Sequence, residues 1–499
     1  MFDSGCRAEV IAHFDEESER CYPSTTAQSR ALVNRICAAA RAENREAAAQ
    51  LAAIGELFSY RLARCSDTEQ WAIDTMEAVA AEVGAALRIS QGLAASRLRY
   101  ARAMRERLPR VADVFRAGDI DYRVFQTLVY RTDLVTDCEV LAQVDAALAA
   151  NVARWPSMTQ SRLGGQVDKI VAALDGDAVR RRQRRQRDRE VWIGDLAEGG
   201  ISQIHGSLFS VDAHALDQRL DKLAGTVCAH DPRTREQRRA DALGVLAAGA
   251  DRLGCRCGRS DCAAGGKPAA GPVVIHTLAD QATAAGTGNT AGSEWGADGL
   301  IPPEVVAELA KSATLVPLFH PADAPPEKGY VASKALADFV RCRDLTCRWP
   351  GCDHPAARCD IDHTIPYSQG GRTHASNLKC YCKTHHLIKT FLGWTEQQLA
   401  DGTLILTSQS GATYVTTPGS ALLFPSLCRA VGGMPAVEAD PPPPDYCAER
   451  TTMMPKRART RAQDRATRVA TERRHNRQAR MAARTGPAPP PDDDDPPPF

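Results

Sequence analysis

From Ala31 to about Asp175, apolar residues return every three or four positions among Ala, Leu, Arg and Glu, the period of a helix with one buried face. The pattern predicts helices over Leu32–Leu62, Trp71–Leu87, Gly92–Leu108 and Tyr122–Val135, with breaks at Ser90, Pro109 and Gly118. Within it, AAEVGAALRISQGLAASRLRYARAM has the helix, short turn and second helix of a DNA-reading motif, with Arg97, Arg99 and Arg102 on the second helix. An ordinary pair of packed helices gives the same pattern. The period then shortens. VWIGDLAEGGISQIHGSLF reads as a hairpin around Glu198-Gly199-Gly200, helices follow over Val211–Cys228 and Arg235–Ala250, and VVIHTL at Val273–Leu278 reads as a strand. Together these argue a small α+β unit, followed by a flexible connection over Ala279–Gly299, which is poor in large apolar residues. Farther on, CDIDHTIP reads as a short strand ending at Asp362-His363. Gly370-Gly371 turns the chain into a second strand before Asn377, and a helical stretch from Lys379 carries His386 back across both. WTEQQLADGTLILTSQSGATYVTTP reads as a hairpin around Ser410-Gly411.

Length changes the picture first, since 499 residues exceed one ordinary core and imply two or three domains with tails. With 43% apolar and 25% charged residues the chain has a soluble globular composition. No run of ~18 apolar residues occurs, and Met1 to Arg20 is acidic and polar, unlike a signal peptide. A cytoplasmic protein without membrane contact is therefore expected. The net charge of +1 hides local extremes. Seven of the ten residues from Arg180 to Arg189 are arginine, either a solvated linker or a phosphate contact through Arg180, Arg181, Arg182, Arg184 and Arg185. From Lys456 to Arg484 eleven Lys/Arg, among them Arg457, Arg459 and Arg461, face only Asp464 and Glu472, and the chain ends in GPAPPPDDDDPPPF. With few large apolar residues this tail is expected to be disordered, or helical only on DNA.

Chemistry concentrates between Cys347 and Lys389. Cys347 and Cys352 flank a tight RWPG turn, and about thirty residues on Cys382 and His385 repeat the short spacing. Three thiolates and an imidazole make a soft, closed shell suited to structural zinc, and so short a segment needs such a staple to fold. Cys359 and Cys380 are alternative ligands, while His354 and His374 read as loop residues. The second job falls on Asp362, His363, Asn377 and His386. In a strand, strand, helix clip, Asp362 and His386 can hold one divalent cation while His363 points at a water. The Asn377 amide, both donor and acceptor, can fix the loop carrying His363. A separate group, Cys255, Cys257 and Cys262, crowds a Gly-rich loop with no fourth ligand evident nearby, so a loop with free thiols is the favoured reading. The remaining cysteines of the seventeen are scattered, as in a chain that keeps its thiols reduced.

The order Asp-His, Asn, then Cys-x-x-His-His resembles the HNH nucleases of the ββα-metal superfamily over roughly Arg341 to Thr395. The resemblance implies a DNA endonuclease with His363 as general base, Asp362 and His386 on Mg²⁺ or another divalent cation, and Asn377 as the orienting amide; Lys389 is a further expected nucleic-acid contact. Four residues rather than two separate Cys347 from Cys352, and His385 stands where a second Cys is usual. The long Ala/Arg-rich region, DPRTREQRRADALGVLA at Asp231–Ala247 and the C-terminal clip together resemble a larger family over approximately Ala31 to Leu406. It comprises the actinobacterial HNH endonuclease signature-containing proteins with an upstream domain of unknown function, including the mycobacterial thirteen-E-twelve repeat proteins. The expected fold class is α+β. A flexible N-terminus (1–30) precedes a mainly helical region with a small α+β unit (31–335). A ββα-metal (HNH) domain with structural zinc and a C-terminal hairpin (336–430) and a disordered basic tail (431–499) follow. DNA is the expected partner and a homodimer stays open. The alternatives are a DNA-binding protein whose clip is only structural, and a mobile-element-associated DNA-processing factor.

Overall fold

A computed structural model describes residues 26–64, 68–156, 158–179, 190–195, 201–208, 210–264, 276–295, 300–311, 313–432 and 453–484. The Arg180–Arg189 run, the turn at 196–200 and the segment 433–452 lie outside the described residues. The helices α1 (Ala27–Leu62), α2 (Thr75–Leu87), α3 (Gln91–Glu106), α4 (Pro109–Arg116), α5 (Tyr122–Thr132), α6 (Cys138–Val152) and α7 (Gln160–Leu174) come first. Their ends follow local chemistry. Residues 26–30, expected in a flexible N-terminus, are instead the capping box of α1, in which the Thr26 and Ser29 side chains each accept the other's backbone N–H. α2 starts later than its apolar pattern because the Asp74 carboxylate caps it, accepting from Glu77 N at 2.9 Å. Ser90, Pro109 and Gly118 all fall at helix boundaries, and a Cβ at Gly118 (φ +83) would meet Arg41 O at 2.6 Å.

By its contacts the chain forms two compact units that interleave in sequence. The first, within 1–69, 95–180 and 458–499, buries Leu51, Leu98, Leu108, Phe115, Phe125 and Leu128, with Phe115 and Phe125 stacked at 5.1 Å. Buried Asp145 on α6 caps α4, accepting from Arg110 N at 2.9 Å and Val111 N at 3.0 Å. Of the arginines read as a DNA-facing set, Arg97 donates to Gln50 and Arg102 chelates Glu106 at 2.9 and 2.8 Å, so both are engaged within the protein.

The second unit lies within 70–94 and 181–457. It contains the antiparallel pair β1 (Val191–Asp195) and β2 (Ser202–Gly206), then helices α8 (Ser210–Ala224) and α9 (Arg235–Ala247) packed on each other. The stretch expected as a flexible connection is instead ordered in part. The strands β3 (Thr277–Leu278), β4 (Gly292–Glu294) and β5 (Leu300–Ile301) form a small antiparallel sheet, with β4 and the short helix α10 (Gln281–Ala284) inside that stretch, ahead of α11 (Pro303–Ala310), because backbone pairing and buried Thr283 and Ser293 replace large apolar groups. Helix α12 (Lys334–Asp344) leads to the antiparallel ribbon β6 (Asp360–His363) and β7 (Leu378–Tyr381), helix α13 (Lys383–Phe391), and a three-stranded meander of β8 (Thr395–Gln398), β9 (Leu404–Thr407) and β10 (Thr413–Thr416). Phe339, Val340, Trp349, Leu378, Tyr381, Ile388, Trp394 and Leu404 form the core beneath them.

Where a disordered tail was expected, α14 (Arg461–Arg484) is a helix of the first unit. Its arginines meet carboxylates at the C-terminal ends of other helices, where the helix dipole also favours positive charge. Arg465 and Arg468 bind Asp133 at 2.8 and 3.0 Å, Arg473 binds Asp175 at 2.6 Å, and Arg480 binds Asp177 at 2.7 Å. Asn476 donates to the carbonyls of Asp177 and Val179, and Val469 is buried. Composition misled here because the partners lie some three hundred residues upstream.

Burial alone would raise the Asp133 carboxyl, but hydrogen bonds and charge from Arg465 and then Arg468 bring it down to about 2. A carboxylate held below its ordinary value of about 3.9 stabilises the folded form at any pH above that value, and the contribution is lost as pH falls from about 4 towards 2. Asp133→Asn is therefore expected to cost ~1 kcal/mol at pH 7 and to raise hydrogen exchange across Arg461–Arg484, with the difference from wild type shrinking below pH 4. Unchanged exchange in that helix at pH 7 would show that these pairs do not hold it.

Candidate functional site

The thiol cluster is built by two turns. Cys352 N donates to Trp349 O at 3.0 Å and Gly351 (φ +75) reverses the chain, so Cys347 and Cys352 face the same side. Cys382 stands at the N-cap position of α13, without a capping side-chain bond, and His385 lies in its first turn. The four ligand atoms of Cys347, Cys352, Cys382 and His385 lie within 4.8 Å of one another. His385 Nδ1 is 3.2 Å from Cys382 Sγ and 3.5 Å from Cys347 Sγ, and the Trp349 ring stacks flat on the imidazole at 4.8 Å and 3°. A tetrahedral ion with Zn–S bonds of ~2.3 Å separates its sulfurs by about 3.8 Å, so the group fits zinc. Neither alternative ligand joins it. Cys359 Sγ donates to His354 O at 3.7 Å, and Cys380 is sealed in β7. His374 bonds Ser376 Oγ and Ala324 O, a structural role.

Across the ribbon Asp362 lies directly opposite Lys379, and its Oδ2 accepts from Lys379 Nζ at 2.8 Å and from Lys389 Nζ at 3.0 Å. Glu396 on β8 completes a quartet, 2.5 Å from Lys379 and 3.4 Å from Lys389. Lys389, expected to meet nucleic acid, is instead buried. It also donates to His363 O at 2.5 Å, because a cation was needed between two sunken carboxylates. Asp362 Oδ1 remains, 3.3 Å from His386 Nε2, while His386 Nδ1 lies 2.8 Å from Asp360 Oδ2. Burial would raise the Asp362 carboxyl, but Lys379, His386 and Lys389 hold it well below the usual carboxylate range. Two adjacent ligands of a six-coordinate ion with bonds of ~2.1 Å lie about 3 Å apart, so Asp362 Oδ1 and His386 Nε2 fit a shared divalent cation.

The adjacent His363 has its own set of contacts. Its ring stacks on Tyr330 at 5.2 Å and 18°, and its Nε2 is 3.0 Å from Thr373 Oγ1. The Thr373 hydroxyl donates to Gly329 O at 2.6 Å, so Thr373 accepts from His363 and the ring proton sits on Nε2. Nδ1 is left as a buried lone pair with no partner among the described residues. Burial and the two lysines outweigh Asp362 and push the imidazole below the ordinary histidine value, which keeps it neutral. Asn377 does as its amide chemistry suggests, accepting from Ile365 N at 2.8 Å and donating to Ile365 O at 3.1 Å and Arg372 O at 3.0 Å. A Cβ on Gly371 would lie 1.9 Å from Ile365 O, so this loop requires glycine there.

Of the sequence-predicted residues, the structure brings together Asp362 with His386 and, separately, Cys347, Cys352, Cys382 and His385. Arg457, expected on phosphates, donates to Ala72 O at 2.6 Å and lies 3.6 Å from Asp74, because the polypeptide there threads back against α2's cap. Arg459 is exposed, and Arg461 opens α14. Arg180, Arg181, Arg182, Arg184 and Arg185 lie outside the described residues. Thr373, Lys379, Asp360 and Glu396 were missed. Lys379 was expected to open a helix, with the second strand ahead of Asn377; instead β7 follows Asn377 and α13 begins at Lys383, which is what sets Lys379 opposite Asp362.

The structure thus defines a mostly helical chain with small sheets and a Cys/His cluster able to hold a metal. Residues 38–344 match the family described as Domain of unknown function (DUF222), and the chain belongs to that family. The match ends just before the Cys347–Lys389 clip. The chain is similar to uncharacterized protein Rv3776 of Mycobacterium tuberculosis, 42% identical over 475 residues that cover 90% of each chain. It is also similar to uncharacterized protein Rv2100 of that organism, 40% identical over 530 residues, covering 96% of this chain and 94% of the relative. No solved structure matches.

Since Cys382 anchors both halves of the thiol cluster, Cys382→Ser is expected to lower bound zinc by one equivalent per chain and to melt the clip while sparing the helices of the first unit. Elemental analysis with hydrogen exchange reads both, and unchanged zinc content would contradict the assignment.

Proposed function

We propose that the Cys347–Lys389 clip is a metal-dependent endonuclease centre that hydrolyses DNA phosphodiester bonds, in line with its HNH resemblance. The observation that supports this most is the buried Nδ1 of neutral His363, which has no partner among the described residues and whose tautomer Thr373 fixes. A buried polar atom without a partner costs free energy unless a water or substrate group meets it. In this reading His363 Nδ1 takes a proton from water as the water oxygen bonds to phosphorus. The bond from phosphorus to the 3′ oxygen breaks, and that oxygen takes up a proton from solvent. A divalent cation on Asp362 and His386 would neutralise the charge that develops on the phosphate and the leaving oxygen. Thr373 holds the His363 ring so that its lone pair, and not its N–H, meets the water. Asn377 clamps the loop that carries Thr373, and Tyr330 covers the ring face.

Supercoiled plasmid incubated with zinc-replete protein, with and without Mg²⁺, tests this reading. Wild type is expected to nick only with the divalent ion, and His363→Ala is expected to lose ~10²- to 10⁴-fold in rate while keeping its zinc. Thr373→Val is expected to slow nicking and Thr373→Ser to restore it. A folded His363→Ala protein that nicks as fast as wild type would place any activity elsewhere.

A further inference from the structure

The loop that follows α9 carries Cys255, Cys257 and Cys262 in a C-x-C-x4-C spacing, with Gly258 (φ +70) allowing the chain to turn back between the last two. Three thiols alone make an incomplete tetrahedron. The fold supplies the missing one, since Cys228, just beyond the end of α8, has its sulfur 3.5 Å from that of Cys255, and all four sulfurs lie within 4.8 Å of one another. All four are free thiols and half-buried.

We infer that Cys228, Cys255, Cys257 and Cys262 bind a second zinc ion, which staples the α8–α9 hairpin. The sulfur spacing brackets the ~3.8 Å separation that a tetrahedral site with ~2.3 Å Zn–S bonds adopts. The arrangement does not suit disulfides, which need two sulfurs at ~2.05 Å and leave the other pair out of the group.

The surrounding chain is built to bring the two ligand loops together. Arg233, nearly buried, chelates Asp231 at 3.0 and 2.8 Å, reaches Asp241 at 2.6 Å and donates to Gly254 O at 2.7 Å. Asp231 also accepts from Arg256 N at 2.9 Å, and Leu253 N donates to Thr226 Oγ1 at 2.8 Å. The loop holding Cys228 and the loop holding the other three are thus tied at three points before any ion enters. Arg256 and Arg259 are interleaved with the ligands; Arg259 is paired with Asp261 at 3.1 Å, and Arg256 is left to offset part of the two negative charges that four thiolates leave on a zinc ion.

The hairpin also needs such an ion. Its core consists of Leu223, Ala242, Val245 and Leu253, with Leu220, Val227, Leu246 and Ala250 packed around them, a cluster separate from the large core beneath the clip. So few buried apolar residues fall short of what a small unit needs to stay folded, and a metal bound only by the folded form makes up the difference. The site is independent of the Cys347–His385 cluster and of the proposed nuclease reading.

Zinc content of the full-length chain, purified reduced and measured by elemental analysis against protein concentration, is the test. Two equivalents per chain are expected for wild type, and one each for Cys257→Ser and Cys382→Ser. Cobalt titration of the metal-stripped wild-type chain gives a readout that does not depend on variants folding, with two equivalents of tetrahedral thiolate-bound ion expected from the visible bands. A Cys257→Ser protein that holds as much zinc as wild type, or that takes up as much cobalt after stripping, would overturn the second site.

Discussion

Two ammonium groups and two carboxylates lie sunk between the β6–β7 ribbon, α13 and β8, and no one of them is stable without the others. Lys379 is 1% exposed, and its charge is met by Asp362 across the ribbon and by Glu396 from the meander, while Lys389 closes the square from the helix. Removing one member of such a buried pair typically costs ~3–5 kcal/mol, because the partner is left charged and dry. The quartet therefore fixes several things at once. It pins the ribbon register at Asp362 opposite Lys379, since a one-residue slip would turn both charges to the wrong face. It sets the rotation of α13, because Lys389 must point inward, and one turn earlier His386 then faces the remaining oxygen of Asp362. The geometry read as a cation site is a consequence of this packing.

Two further constraints hold the ribbon at its other end. Asp344, fully buried, accepts from Arg343 at 2.8 Å, Arg348 at 3.2 Å and Cys380 N at 2.8 Å, so α12 is locked to β7 through charge. Arg343 then spends its other donors on the carbonyls of Ala375 and Leu378, and Arg348 reaches Thr416 O on β10. Beside this node the Cys347–His385 cluster joins the RWPG turn to the start of α13. The ribbon is short, with four residues in each strand, and backbone pairing alone would not hold it. Charge on one side and thiol chemistry on the other do so instead, which leaves the loop of Thr373, Gly371 and Asn377 to aim His363.

What the sequence made legible was whatever sits close together along the chain. The helix period, the capping and breaking residues, the strand before His363 and the thiol spacings are all local, and each matches an element or cluster that the structure contains. The amide role of Asn377 followed from its chemistry alone. Partners far apart in sequence carried no such trace. Cys228 is 27 residues from Cys255, Thr373 reaches a carbonyl 44 residues upstream, and Arg473 binds Asp175 across 298 residues. Lys389 shows the converse error, where a Lys beside a metal-like motif reads as a phosphate contact until burial reveals its carboxylates. The basic tail misled for a related reason, since its low apolar content was real but its stability comes from ion pairs.

We propose that the lysines, by occupying one oxygen of Asp362, leave the other to share one divalent ion with His386. Electron paramagnetic resonance of Mn²⁺ added to the zinc-replete, full-length chain measures this without requiring turnover. Loss of the free-ion signal should correspond to one site per chain in wild type and in His363→Ala, and to a much weaker site in Asp362→Asn and His386→Ala. Mn²⁺ uptake that is absent from wild type, or equal in Asp362→Asn, would contradict the account.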